Sequence, residues 1–206
     1  MMIRGGVIVD KKLIIKGLKG WVLAAGVAFV LVMLLNTKVF ALPQVEQDSM
    51  QNTLFEGQRL FLDKLSYSFH EPRKGDVIVF LENKVEGGFF SGFKIYLTDM
   101  ADVFKDEKIN DRLVKRVIGV PGDVINIKNS CVYVNGEKLE EEYAKGGTFT
   151  REIAFPVKVP KGKLFVLGDN REVSRDSREF GFIEFKNVEG KVRFKVWPFK
   201  EAGKVK

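Results

Sequence analysis

Residues 21–35 form an unbroken run of apolar and small side chains, and Lys11, Lys12, Lys16 and Lys19 stand directly before it. As a helix the run spans about 22 Å, short of a hydrocarbon core of about 30 Å. Continued through Asn36, Thr37 and Lys38 to Leu42 it reaches about 33 Å, and the Lys38 ammonium can snorkel to the interface. Cationic flanks stay cytosolic. The expected organisation is therefore a cytosolic basic segment over 1–20, a single transmembrane anchor over 21–42, and an extracytoplasmic domain over 43–206. A cleaved secretory signal is the rival reading, because Val39-Phe40-Ala41 also fits a small-residue cleavage site. Both readings export the rest of the chain.

Charge and rare residues remove several function classes. Arg4, Lys11, Lys12, Lys16 and Lys19 against Asp10 put +4 of the formal net charge of +7 into the first twenty residues. What remains is nearly balanced, so no nucleic-acid partner is expected. Cys131 is the only cysteine and can make neither an intrachain disulfide nor a cysteine metal knuckle. His70 is the only histidine; it precedes Glu71-Pro72 and reads as a loop residue. Neither a metal nor a cofactor is expected.

Beyond Gln58 the pattern is that of short strands. Alternation runs through residues 60–63, 76–81 and 191–197, separated by turn signals such as Lys74-Gly75-Asp76, Pro121-Gly122-Asp123 and Gly168-Asp169. Asn135-Gly136 between Val132-Tyr133-Val134 and Lys138-Leu139 predicts a hairpin. Over 94–111, Leu97, Met100 and Phe104 recur at helical spacing and predict one amphipathic helix. The loop before it, 87–93, is rich in glycine and phenylalanine and suits either the lipid interface or core packing.

Serine chemistry needs a base for the hydroxyl proton and donors for the oxyanion. With histidine nearly absent, lysine is the candidate base. It serves only when neutral, which takes a pKa lowered by two to three units, about 3–4 kcal/mol of burial. Lys115 meets that condition: in a strand over 112–119 it shares one face with Leu113 and Val117, while Val114, Arg116 and Ile118 point the other way. Arg116 is then available for an ion pair.

Four segments together resemble the bacterial type I signal peptidases, a Ser/Lys serine peptidase family. Asp48-Ser49-Met50-Gln51-Asn52-Thr53-Leu54 is similar to the family's nucleophile box, S-M-x-P-T-L, and Arg73 to Phe80 to its structural strand. Val114-Lys115-Arg116-Val117-Ile118-Gly119-Val120-Pro121-Gly122-Asp123 is similar to its lysine box. Gly168-Asp169-Asn170-Arg171-Glu172-Val173-Ser174-Arg175-Asp176-Ser177-Arg178 is similar to its G-D-N-R-D-N-S-x-D-S-R box.

The resemblance implies a mainly β, signal-peptidase-like fold with a small inserted β subdomain at about 128–164. It implies a membrane-bound endopeptidase that removes signal peptides from exported precursors through an acyl-enzyme, with small residues preferred at −1 and −3. The expected partners are signal-peptide-bearing precursors and the lipid bilayer; the expected location is the cell membrane, with the catalytic domain outside. The implied roles are Ser49 as nucleophile, Lys115 as general base, and Ser174 as the hydroxyl that orients the lysine. Asp176 and Arg178 brace the site, with Arg116 and Asp169 also in support. The Ser49 backbone N–H lies at the oxyanion, and Gln47 is a further candidate donor. Asn52 departs from the family's proline, and Glu172-Val173 from Asp-Asn. A peptidase with a narrow substrate set and a non-catalytic assembly factor are the alternatives.

Overall fold

Lys11–Lys38 forms an α-helix of 28 residues (α1). The structure, a computed structural model, describes residues 11–82 and 112–205; the helix expected over 94–111 and the loop over 87–93 lie outside them. Two units divide between Asn36 and Thr37. In the first, the apolar side chains along 21–32 are open, with Trp21 79% and Phe29 56% exposed. Among the described residues, no helix is long and apolar enough to cross a membrane.

The second unit opens with a strand inside the stretch 21–42. Helix α1 stops at Lys38, and Phe40–Ala41 is already a strand (β1), antiparallel to Arg59–Asp63 (β2), with Phe40 opposite Asp63. The local chemistry accounts for this. Val39 and Phe40 favour extended backbone, Pro43 biases Leu42 away from helix, and Phe40 stacks on Phe61 at 5.7 Å between ring centroids.

The main sheet continues from β2 through Val188–Trp197 (β11), Val77–Leu81 (β3), Arg112–Gly119 (β4) and Lys163–Leu167 (β9) to Ile183–Glu184 (β10). Gly203–Lys204 (β12) adds to β11, and every described pairing in this sheet is antiparallel. Strand β3 is buried at all five positions, which is why its sequence, Val-Ile-Val-Phe-Leu, is continuously apolar. Val77 and Val79 enter one core cluster with Val45, Met50, Leu54 and Leu60; Ile78 and Phe80 enter another with Leu113, Val117 and Val166. Strand β4 lies beside β3 with Lys115 opposite Ile78.

The smaller sheet orders Glu137–Lys138 (β7), Cys131–Val134 (β6), Val124–Lys128 (β5) and Val157–Lys158 (β8). It therefore starts a few residues before the expected 128, and residues 163–164 belong to the main sheet. The expected hairpin turn is present: Asn135 and Gly136 both take positive φ, 56° and 89°, as a type I′ turn requires. A third cluster forms the seam between the sheets. Ile118, Phe165 and Leu167 of the main sheet pack with Ile125, Val132 and Val134 of the smaller one, and the Phe165 ring meets Phe155 and Phe182 edge-on at 5.9 and 6.1 Å.

Phe165→Ala would open that seam from its centre. Thermal unfolding should show a loss of about 3–5 kcal/mol, or roughly 10 °C in Tm. A change below about 1 kcal/mol would mean that the seam does not hold the two sheets.

Candidate active site

The chain enters the site extended at Gln47 (φ −134°) and makes a single 3₁₀ turn over Asp48–Met50. Met50 and Leu54 bury fully in the first core cluster, so hydrophobic burial pins the turn from below. Backbone and side-chain N–H groups of Asn170 hold it from the side: its backbone N–H donates to the Ser49 carbonyl at 3.0 Å and its Nδ2 to the Asp48 carbonyl at 3.2 Å. Ser49 Oγ is left 2.7 Å from Lys115 Nζ.

Lys115 is 1% exposed and shares its strand face with Leu113 and Val117 of the second cluster. Nζ also donates to the Val114 carbonyl at 3.1 Å. Among the described residues no carboxylate reaches it at ion-pair distance. Burial pushes the amine down to about 8, with the carboxylates of Asp176, Glu82 and Asp169 pulling it back up and the Arg175 guanidinium opposing them. An amine in that range, hydrogen-bonded to a serine hydroxyl, can take up and return a proton near neutral pH.

On the other face of β4, Arg116 is 2% exposed and fully paired. Its guanidinium bonds Asp169 through Nε at 2.9 Å and Nη2 at 2.7 Å, and lies 3.8 Å from the Tyr143 ring centroid. Thr53 Oγ1 donates to Asp169 Oδ2 at 2.5 Å, which couples the Ser49 turn to this pair. Asp176 caps the short helix Ser177–Phe180 (α2), accepting the Arg178 N–H at 3.2 Å and the Gly168 N–H at 3.1 Å. It also takes the Arg178 guanidinium at 2.8 and 2.9 Å.

Gly168 must lack a side chain, because a Cβ there would collide with Ser174 and come within 2.5 Å of the Ser49 carbonyl oxygen. Ser174 is fully buried, yet among the described residues its Oγ finds no hydrogen-bond partner. The expected bond from this hydroxyl to Lys115 is thus absent in this geometry. Gln47 is exposed and its side chain does not cap the 3₁₀ turn. His70 is exposed in the turn after Ser66–Ser68, where its N–H bonds the Ser66 carbonyl.

Several neighbours carried no assigned role in the sequence. Arg171, 1% exposed, donates to Glu141 at 2.8 and 2.5 Å and to Thr148 at 2.6 Å. Lys145 pairs its backbone with Asp169 and Arg171, and its Nζ reaches Gln51 Oε1 at 2.8 Å. Residues 141–148 thereby strap the smaller sheet's connection to the Ser49 turn. Glu141 and Tyr143 sit in an acidic run whose only sequence signal was that of a solvated loop.

A family model described as signal peptidase, peptidase S26, matches residues 18–197. Signal peptidase IB of Staphylococcus aureus strain Mu50 is 36% identical over 203 residues, covering 90% of this chain and 93% of the relative. Signal peptidase I of Bacillus caldolyticus is 40% identical over 187 residues, covering 85% and 89%. The crystal structure of a signal peptidase I from Enterococcus faecalis V583 is 30% identical, with a TM-score of 0.40, covering 59% of this chain and 97% of that one.

The Lys115 geometry has a consequence for stability. The folded chain releases this proton near pH 8 and the unfolded chain near 10.5, so stability should rise with pH across that window. Below it the folded state bears the full penalty, about 3 kcal/mol. Lys115→Met removes the titration. Its stability advantage over the parent should be largest near pH 7 and shrink as urea melts are moved toward pH 10. A pH-independent difference would show that the folded amine titrates as an ordinary lysine.

Proposed function

Because this chain belongs to the signal peptidase family, peptidase S26, and is a serine endopeptidase that removes signal peptides, we propose that Ser49 and Lys115 are its catalytic dyad. The single observation that carries this reading is the 2.7 Å contact between Ser49 Oγ and a lysine amine that burial holds down to about 8.

Neutral Lys115 takes the Ser49 proton as the oxygen attacks the carbonyl carbon of the −1 residue. The oxyanion is stabilised by the Ser49 N–H, with Gln47 a further candidate donor. Collapse breaks the C–N bond, and the lysinium gives its proton to the departing amine. Lys115 then deprotonates a water that cleaves the acyl ester and frees Ser49. Arg116, Asp169, Asp176 and Arg178 support this by holding the turn and the Gly168–Ser174 loop in place. Ser174, buried beside Gly168, supports it through packing in the observed geometry.

The precursor's cleavage segment lies extended between residues 43–47 and β4, as an added strand. Two observations favour this slot. Residues 43–45 are bonded on one side only to 57–60, with Val45 N–H on the Gln58 carbonyl at 2.8 Å. Strand β4 outruns β9, whose pairing ends at Arg116 opposite Leu167, so on that edge 113–115 have no strand partner among the described residues. Small side chains at −1 and −3 fit so close a backbone approach.

The domain acts at the outer face of the cell membrane. Residues 1–20 stay in the cytosol, and the apolar residues of α1, open along 21–32, serve as the anchor with lysines before them. The catalytic domain then begins no later than β1.

Ser49→Ala and Lys115→Met should each lower precursor cleavage by about 10³-fold or more with the circular dichroism spectrum unchanged. His70→Ala should stay within a few-fold of the parent. The parent's kcat/KM should rise with pH through a limb near 8. An essential His70 beside a dispensable Lys115 would overturn the dyad.

A further inference from the structure

The residue that departs most from the family's nucleophile box, Asn52, has a backbone that proline cannot adopt. Gln51 takes φ −59° and ψ 144°, Asn52 takes φ 65°, and the Thr53 N–H closes onto the Met50 carbonyl at 3.0 Å. These are the dihedrals and the hydrogen bond of a type II turn with Asn52 at its third position, which requires positive φ and accepts glycine or asparagine. Proline's ring holds φ near −65°. The box therefore reaches Thr53 here by a different backbone route from one built around proline.

Both ends of this turn are committed. Upstream, its first residue, Met50, directly follows Ser49. Downstream, Thr53 Oγ1 is bonded to Asp169 at 2.5 Å and accepts from Arg116 Nη2 at 3.2 Å, and Leu54 is buried in the core. Both central residues are also held from outside: Gln51 Oε1 by Lys145 Nζ at 2.8 Å, and Asn52 Nδ2 on the Ala144 carbonyl at 3.5 Å. With Thr53 and Leu54 anchored, a change of φ at residue 52 must be absorbed upstream, by rotation at Gln51 and, where proline blocks that, by displacing Met50 and Ser49.

We propose that the left-handed backbone at Asn52 is a positioning device that sets where Ser49 Oγ stands relative to Lys115 Nζ, taking over the part that proline plays in the family's box. The proposal rests on the Ser/Lys reading above. It makes a counterintuitive demand: restoring the family's proline harms this enzyme, and glycine, far less like proline, preserves it.

The test is Asn52→Gly, Asn52→Ala and Asn52→Pro in the full chain, with precursor cleavage, Tm and an NMR titration of the Lys115 amine. Asn52→Gly should keep kcat within about threefold, because glycine takes positive φ freely. Asn52→Pro should lose about 10²-fold in kcat with KM within a few-fold, the effect of a misplacement of about 1 Å. Its Lys115 amine should titrate closer to the ordinary lysine range as water reaches the displaced site. Asn52→Ala, strained but foldable, should fall about five- to tenfold below Asn52→Gly in kcat and serves if the proline variant does not fold. A proline variant as fast as the parent overturns the proposal, as does a glycine variant as slow as the proline variant, or alanine equal to glycine. The titration needs no turnover. A parent that failed to cleave would count against the proteolytic reading alone, and an unmoved Lys115 midpoint in Asn52→Pro would count against the turn.

Discussion

A lysine buried without a carboxylate in ion-pair reach holds its proton poorly, and the site is arranged around that fact. The alternation of one strand produces it. Lys115 and Arg116 are neighbours on β4, yet the pleat sends Lys115 to the face of Leu113 and Val117 and Arg116 to the face of Asp169. The arginine obtains a bidentate carboxylate and an aromatic lid. The lysine obtains an apolar wall, a backbone carbonyl and a serine hydroxyl. Exchanging the two faces by one residue of register would leave a paired lysine and an unpaired guanidinium that cannot lose its proton.

Around this strand the buried charges are paired with one another. Asp169 serves Arg116 and Thr53, Asp176 serves Arg178 and the Gly168 N–H, and Glu141 serves Arg171. Removing one partner of a buried ion pair would strand the other charge at a penalty of about 3–5 kcal/mol, so the network resists partial rearrangement. That stiffness matters because Ser49 lies on a single 3₁₀ turn, which has little rigidity of its own. Hydrophobic burial of Met50 and Leu54 fixes its depth. Asn170 and Thr53 fix its position along and across the sheet.

Much of this was legible in the chain. The strands over 60–63, 76–81, 112–119 and 191–197, the I′ hairpin at Asn135-Gly136 and the opposite faces of Lys115 and Arg116 follow from period-two patterning and turn chemistry, and all are present, whereas β1, β9, β10 and β12 were not read from the pattern. Hydropathy continues past the end of α1 through Phe40 and Leu42, and only the pairing of Phe40–Ala41 with β2 separates strand from helix there. The positions of Ser174 Oγ, without a partner, and of Gln47, exposed, also lay beyond motif reading. A motif specifies residue types in order, whereas a hydrogen bond depends on a rotamer chosen by packing. The strap over 141–148 was invisible for a related reason: its charged residues read as solvated until their buried partners, far away in sequence, are known.

By itself the sequence determined which residue types could carry the chemistry. A lone histidine, a lone cysteine and a lysine placed on an apolar strand face leave few routes to a hydrolytic base, and those are local properties of composition and period. Only the tertiary structure decided that the hydroxyl of residue 49 meets the amine of residue 115. It also decided that the amine is buried deeply enough to be held down to about 8 and that residue 52 turns the chain through positive φ. Distance, desolvation and turn type arise from contacts between segments tens of residues apart, and no local pattern encodes them.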